Sequence, residues 1–290
     1  MKEKSKILRH LKSVGIKNEK IQIKGVDFIY LINLDKRQDR LIRILNQFSR
    51  YGIFPHRFPA IYGWDLSQET FNDIGLKVLP STSFDRPVHF SPVPGGAVPK
   101  LITLSCIGKT CVHHTMAAGA LGVYLSHLSI LMDAYQSQYR TIWVLEDDVT
   151  VKNDPHNLTE SIDKLDELVG PDVWDILYTD NDDCFTSSNV LAHMGGGSWG
   201  RPGIPMTQAL LENKRVGKDF IKNGGRCQAH SMIIRQNGIR KILDFIIPNG
   251  IFRPYDTELP YIPDITFYNS LNDIVHGRDR TFSDTFYRLS

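Results

Sequence analysis

Three carboxylates in a row, Glu146, Asp147 and Asp148, close the segment TIWVLEDDV and are the sharpest chemical feature of the sequence. Adjacent negative charges repel unless a cation or a basic ligand sits among them. Oxygen donors select a hard divalent ion, Mg2+ or Mn2+ rather than zinc. Such ions usually take one or two protein carboxylates and leave the other positions to water and phosphate. The cluster therefore predicts a metal ion that also holds a diphosphate. A solvated acidic turn is the better reading of an arbitrary triplet, but an apolar run leads straight into this one.

A second group lies in INLDKRQDR, residues 32–40. Asn33 and Asp35 there can bond a base or a ribose, and Lys36, Arg37 and Arg40 follow on the first turn of a helix, where the helix N-terminus and an arginine favour anions. An N-cap with a solvated basic face is the competing reading. Ser126 and His127 are neighbours on a helix, so their side chains point about 100° apart and cannot form a nucleophile-base pair. A hydrolase triad is excluded. His127 is then either a hydrogen-bonded core histidine or a contact to a ligand, and His230 poses the same choice. His113 and His114 fall in a region without clean periodicity.

The elements that must position these residues read as an α/β chain. Residues 26–33, VDFIYLIN, form a nearly continuous apolar run rich in β-branched and aromatic types, as expected of a strand buried on both faces. Leu41, Ile44, Leu45, Phe48 and Tyr51 then recur at helical spacing, with Asp35 as a candidate cap and Gly52 where a left-handed C-cap belongs. A short strand, FPAIYG, is expected at 58–63. A helix from Gly119 carries Leu121, Leu125, Leu128, Met132 and Tyr135. Strands at 141–149 and 173–180 both deliver acids at their carboxyl ends, where open α/β sheets bind ligands. A strand at 228–235 and a helix at 237–247, ended by Pro248, follow. Residues 195–203 read as a glycine-rich loop. Residues 64–118 are expected to be an inserted loop or lid.

Composition bounds the function. With 290 residues, 41% hydrophobic and 23% charged, the chain has room for a large core and the make-up of an ordinary globular protein. A formal net charge of +2 gives no support to nucleic-acid binding. Four cysteines without a CxxC pair signal neither a disulfide framework nor a zinc site and fit a reducing compartment. No apolar run reaches the ~18 residues of a membrane span. The expectation is a cytoplasmic protein. Residues 1–25 are expected to be a basic helical extension, mainly solvated, with peripheral contact to the inner face of a membrane as the alternative.

The order of these segments, strand-INLDKRQDR-helix, FPAIYG, GALGVYLSHLSI, WVLEDDV, GGRCQAHSMIIRQNGIRKIL, a late PYDTEL and a closing FSDT, resembles glycosyltransferase family 25. It covers roughly residues 26–63 and 119–285. That family includes lipopolysaccharide and lipooligosaccharide glycosyltransferases and collagen galactosyltransferases. Members commonly read G-E-I-G-C before the S-H pair, whereas Gly119-Ala120-Leu121-Gly122-Val123 lacks the acid and the cysteine.

The resemblance implies a GT-A-like nucleotide-sugar-binding fold with a mostly parallel central sheet flanked by helices, as one domain over residues 26–290. It implies that Asp148, with Glu146 or Asp147, holds Mn2+ or Mg2+ on the diphosphate of a nucleotide sugar such as UDP-galactose. A hexose would then pass, with inversion, to a hydroxyl of a glycan or glycolipid acceptor such as lipopolysaccharide or lipooligosaccharide. Asn33, Asp35 and Arg37 fall to the nucleotide, with Ser126 and His127 as donor contacts. Asp256, Glu258 and Asp180 are the candidates for the general base, His230 supports the metal, and Arg226 reaches a phosphate. A non-catalytic nucleotide-sugar or glycan binder and a metal-dependent phosphoesterase are the other classes that such an acidic strand end could serve.

Overall fold

The computed structural model describes residues 6–17, 22–82, 89–96, 100–101, 103–181, 200–204 and 212–277. FSDT and most of the glycine-rich loop expected at 195–203 lie outside them.

The chain opens with strand β1 (Phe28–Asn33), helix α1 (Gln38–Ser49) and strand β2 (His56–Pro59). Every residue of β1 is buried: Tyr30 and Ile32 pack into the core on one sheet face, Ile29 and Leu31 into the core on the other. A central strand between two helical layers has no solvated face, hence its unbroken apolar run. Gly52 takes φ +68° just beyond α1, as its position foretold. Asp35 does not cap α1; the N-cap position is Arg37, whose side chain makes no capping hydrogen bond. β2 begins two residues earlier than the apolar FPAIYG run suggests.

Helix α2 (Gln68–Ile74) and strands β3 (Leu76–Lys77), β4 (His89–Ser91), β5 (Lys100–Leu101) and β6 (Thr110–His113) follow. These strands make a separate antiparallel sheet in the order β3-β6-β4-β5, closed over Leu76, Val78, Phe90, Cys111 and Phe252. The region expected as an inserted loop is thus a small sheet. Strands of two to four residues are too short to show alternation, so the pattern was invisible in sequence.

Helix α3 (Ala118–Gln136), strand β7 (Thr141–Glu146), strand β8 (Val149–Val151), helix α4 (Asn157–Val169) and strand β9 (Ile176–Tyr178) come next. The described chain is completed by β10 (Asn213–Val216), β11 (Phe220–Asn223), β12 (Ser231–Arg235), α5 (Gln236–Asn249), the short α6 (Tyr255–Glu258), β13 (Phe267–Ser270) and β14 (Val275–Gly277). Pro248 does not end α5 but sits in its last turn.

Eight strands form the central sheet in the order β10-β11-β13-β9-β12-β7-β1-β2. β2, β1 and β7 are parallel, as are β9 and β13, whereas β12 runs antiparallel to both neighbours and β11 antiparallel to β10 and β13. The architecture is α/β, but the sheet is mixed rather than mostly parallel. The reversal of β12 has a functional consequence. Its register pairs Ser231 with Leu145 and Met232 with Tyr178, so the residues that precede it lie beside the carboxyl ends of β7 and β9. A parallel β12 would carry His230 to the opposite edge.

The N-terminal segment is not a solvated extension. Ile7 is buried in the main core, Leu11 and Val14 pack against it, Lys6 and His10 pair with Asp73, and Lys17 pairs with Asp133 at 3.0 Å. Ile7, Leu11 and Val14 thus turn toward the protein itself. Among the described residues no helix is long and apolar enough to cross a membrane.

Candidate active site

The three acids at the end of β7 have three different environments. Asp147 turns back into the protein: its Oδ2 accepts from Asn33 Nδ2 at 2.7 Å and its Oδ1 from Arg40 Nη1 at 3.1 Å. Arg43 also donates to the Asp147 carbonyl at 2.7 Å. Burial pushes the Asp147 carboxyl up, against the pull of Asn33 and Arg40. Both of its oxygens are engaged in tying β7 to β1 and α1, so the expected metal ligand acts as a latch. Asn33 is committed to the same task, since its Nδ2 also donates to the Arg37 carbonyl at 3.0 Å and its Oδ1 accepts from Arg57 Nε at 2.9 Å.

All three acids line one cleft, but Glu146 and Asp148 have other partners there. The Glu146 Oε1 is 3.0 Å from His127 Nε2, and the Glu146 backbone N–H donates to the His230 carbonyl at 2.8 Å. Burial alone would raise the Glu146 carboxyl, but the hydrogen bond from His127 and the nearby basic groups outweigh it and hold the carboxyl below its ordinary value. Asp148 has the opposite balance. Burial, reinforced by the charges of Glu146 and Asp147, pushes it up to about 6. Its Oδ1 is buried without a hydrogen-bond partner. A buried carboxylate oxygen without a donor, beside a second carboxylate, suits a hard cation. Among the described residues no three metal-binding side chains converge, and Asp148 with Glu146 is the pair that could hold such an ion.

The cleft opens to solvent between the end of β1, the loop after β2 and the start of α3. Tyr62 and Trp64 supply aromatic surface to this wall, and the Trp64 indole nitrogen has no hydrogen-bond partner. Sequence reading passed over Trp64 because it opens the aperiodic region. Two devices hold the loop. The Ser126 hydroxyl accepts from Ile61 N at 2.9 Å and donates to the Gly122 carbonyl at 2.7 Å. Gly63 and Gly122 pack backbone to backbone, where a Cβ on Gly122 would collide with Gly63 N and the Ile61 carbonyl. Ser126, expected as a donor contact, staples the wall of the cleft. Asp35 is exposed and paired with Arg57, and Arg37 pairs with Asp39 at 3.1 Å.

His127 is fully buried, and its ring stacks on Tyr255 at 4.3 Å between centroids and 15° between planes. It reaches the cleft only through Glu146. Tyr255 was not singled out from sequence, since a tyrosine in a Pro/Tyr/Asp-rich stretch carries no period.

The three base candidates also separate. Asp180 is fully buried, 2.9 Å from both Arg226 Nη1 and His230 Nε2; burial raises its carboxyl, but these partners prevail and hold it low. Arg226, expected on a phosphate, therefore reaches Asp180, with its guanidinium 4.6 Å above the Tyr178 ring. Glu258 is fully buried, accepts from the backbone of Phe252 and Arg253 at 2.9 and 3.1 Å, and pairs with Arg201. Both are anchors enclosed by the fold. Asp256 is only half-buried; it accepts from Gln228 N at 2.6 Å and Thr257 N at 2.8 Å, and burial pushes its carboxyl up.

A family model described as "Glycosyltransferase family 25 (LPS biosynthesis protein)" matches residues 26–189, more than half of the chain. A protein of Aedes aegypti called "Glycosyltransferase 25 family member" is 29% identical over 154 residues, 53% of this chain and 21% of that protein. "Procollagen galactosyltransferase 1-B" of Xenopus laevis is 27% identical over 158 residues, 52% of this chain and 21% of its own. "Inactive glycosyltransferase 25 family member 3" of Mus musculus is 25% identical over 162 residues, 55% of this chain and 23% of its own. The matched region spans only about a fifth of the length of these relatives. Its family-matched stretch contains β1 with its Asn33 latch, the cleft loop, the Ser126-His127 pair and the acidic end of β7, and the chain belongs to glycosyltransferase family 25.

Proposed function

We propose that the protein is a metal-dependent hexosyltransferase of GT-A-like architecture that moves galactose from UDP-galactose to a hydroxyl of a glycan or glycolipid acceptor, with inversion at the anomeric carbon. The observation that carries this reading is Asp148, whose buried, partnerless oxygen lies next to Glu146 in an open cleft at the carboxyl end of β7. Galactose is preferred among hexoses because two relatives are named procollagen galactosyltransferases.

Asp148 and Glu146 are the residues that would hold Mn2+ or Mg2+, and the chemistry the ion supplies when bound is neutralisation of charge on the departing nucleoside diphosphate. Asp147 leaves that task to them and fixes the strand end against Asn33 and Arg40. Tyr62 and Trp64 offer flat faces on which a base can rest. Asp256 is the group suited to take the proton of the attacking hydroxyl. It alone of the three base candidates retains solvent access, two backbone N–H groups hold it still, and its raised carboxyl is closer to the affinity a base needs near neutral pH.

Asp148→Asn should abolish Mn2+-dependent release of UDP from UDP-galactose in the presence of acceptor, while leaving the fold intact by circular dichroism. Undiminished turnover in that variant rules the mechanism out. The relative named inactive supports one competing reading, a nucleotide-sugar binder without turnover. Such a protein would retain donor and release no nucleotide with any acceptor.

A further inference from the structure

His127 is fully buried and does not line the cleft, yet it bonds Glu146, which does. We propose that His127 is a positioning residue, stacked on the Tyr255 ring, that orients the Glu146 carboxylate toward a divalent cation. The proposal rests on the metal-dependent reading given above.

The hydrogen-bonding pattern supports the proposal. His127 Nε2 is 3.0 Å from Glu146 Oε1, while its Nδ1 is buried without a partner. A carboxylate only accepts, so Nε2 carries the hydrogen of this bond. The imidazole thus donates one directed bond that anchors Glu146 Oε1, and a cation site needs an anchored oxygen.

The ring itself has no freedom. Tyr255 stacks on it nearly parallel, and Tyr124 packs edge-on against Tyr255 at 5.2 Å. Tyr255 precedes Asp256 on α6, so one stack joins the metal-side carboxylate on β7 to the element carrying the candidate base. Outer partners of this kind set the geometry of metal ligands, and their loss typically lowers metal affinity ~10- to 100-fold.

The test is Mn2+ binding, measured by calorimetry and by the EPR signal of free Mn2+, in the full chain with UDP present. His127→Phe keeps a ring against Tyr255 but loses the donor, and should weaken Mn2+ binding by ~10-fold or more. His127→Gln, which retains an N–H near the same place, should restore most of it. In a Glu146→Gln background His127→Phe should have no further effect, because the oxygen it orients has lost its charge. If His127→Phe fails to fold, His127→Asn, too short to reach Glu146, replaces it with the same expectation. Wild-type affinity in a folded, donor-free variant overturns the proposal, as does a full second loss in the Glu146→Gln background. Asp148→Asn separates the two ideas. If the parent binds Mn2+ and Asp148→Asn does not, an unaffected His127→Phe sinks the positioning role alone. A parent chain that binds no Mn2+ with UDP sinks the metal reading and this proposal together.

Discussion

Asp148 concentrates the conflict between stability and activity in one side chain. Its carboxyl is pushed from 3.8 up to about 6 by burial and by two neighbouring acids, so its ionised form weakens the metal-free fold. Between about pH 4 and 6 the folded state holds a proton that the unfolded chain releases, and the stabilisation this brings is lost as pH rises through 6. Urea denaturation of the metal-free protein should therefore show a gain from pH 7.5 to 5 that is smaller in Asp148→Asn. At pH 7.5 that variant should be the more stable of the two, and a less stable variant would contradict the assignment. The same proton competes with a cation, so Mn2+ affinity should fall below pH 6. Arg40 belongs to the opposite category. Its ion pair with Asp147 is almost wholly buried, and Arg40→Ala strands a charge, at a cost of about 3–5 kcal/mol by equilibrium denaturation.

At the scale of elements, the cleft depends on how closely one loop can approach one helix. Gly63 and Gly122 meet without side chains, and Ser126 bonds both the Ile61 amide and the Gly122 carbonyl. Gly122→Ala improves helix propensity by ~1 kcal/mol but puts a methyl group inside the loop's backbone. The expected outcome is a loop displaced from α3, with UDP affinity lowered by ~10-fold or more in a protein that still folds. Calorimetry with UDP decides it; unchanged affinity would show that the loop does not shape the nucleotide wall. The Ser-His dipeptide, ambiguous when read as two polar residues on an apolar helix, divides into a staple for the loop and a partner for Glu146.

The whole molecule is held by contacts distant in sequence. Residues 6–17 lie along α2 and α3: Ile7 is 2% exposed, and the Lys12 amide donates to Ser129 Oγ at 2.9 Å. Burial of one isoleucine is worth about 1.5–3 kcal/mol, so deletion of residues 1–17 should lower the melting temperature by several degrees. A solvated tail would leave it unchanged. Arg201 performs a similar task later in the chain, pairing with Glu258 and donating to the Gly250 carbonyl at 2.8 Å, which fastens residues 200–204 to the end of α5 and to α6.

The family resemblance, the strand buried on both faces, the amphipathic helix after it and the acids at the end of β7 were legible in sequence because each is local: a period, a breaker or a run of like charges. Which acid keeps an oxygen without a partner was not. Asp147 and Asp148 are neighbours of one residue type, and only the position of Arg40 and Asn33, more than a hundred residues away, engages the first and leaves the second with a bare oxygen. The direction of β12 was hidden for the same reason, since an apolar strand reads alike in either sense. That direction brings His230 beside Glu146 and Asp180. Hydrophobic period reports whether a residue is buried; long-range hydrogen bonds and strand direction decide which partner it meets.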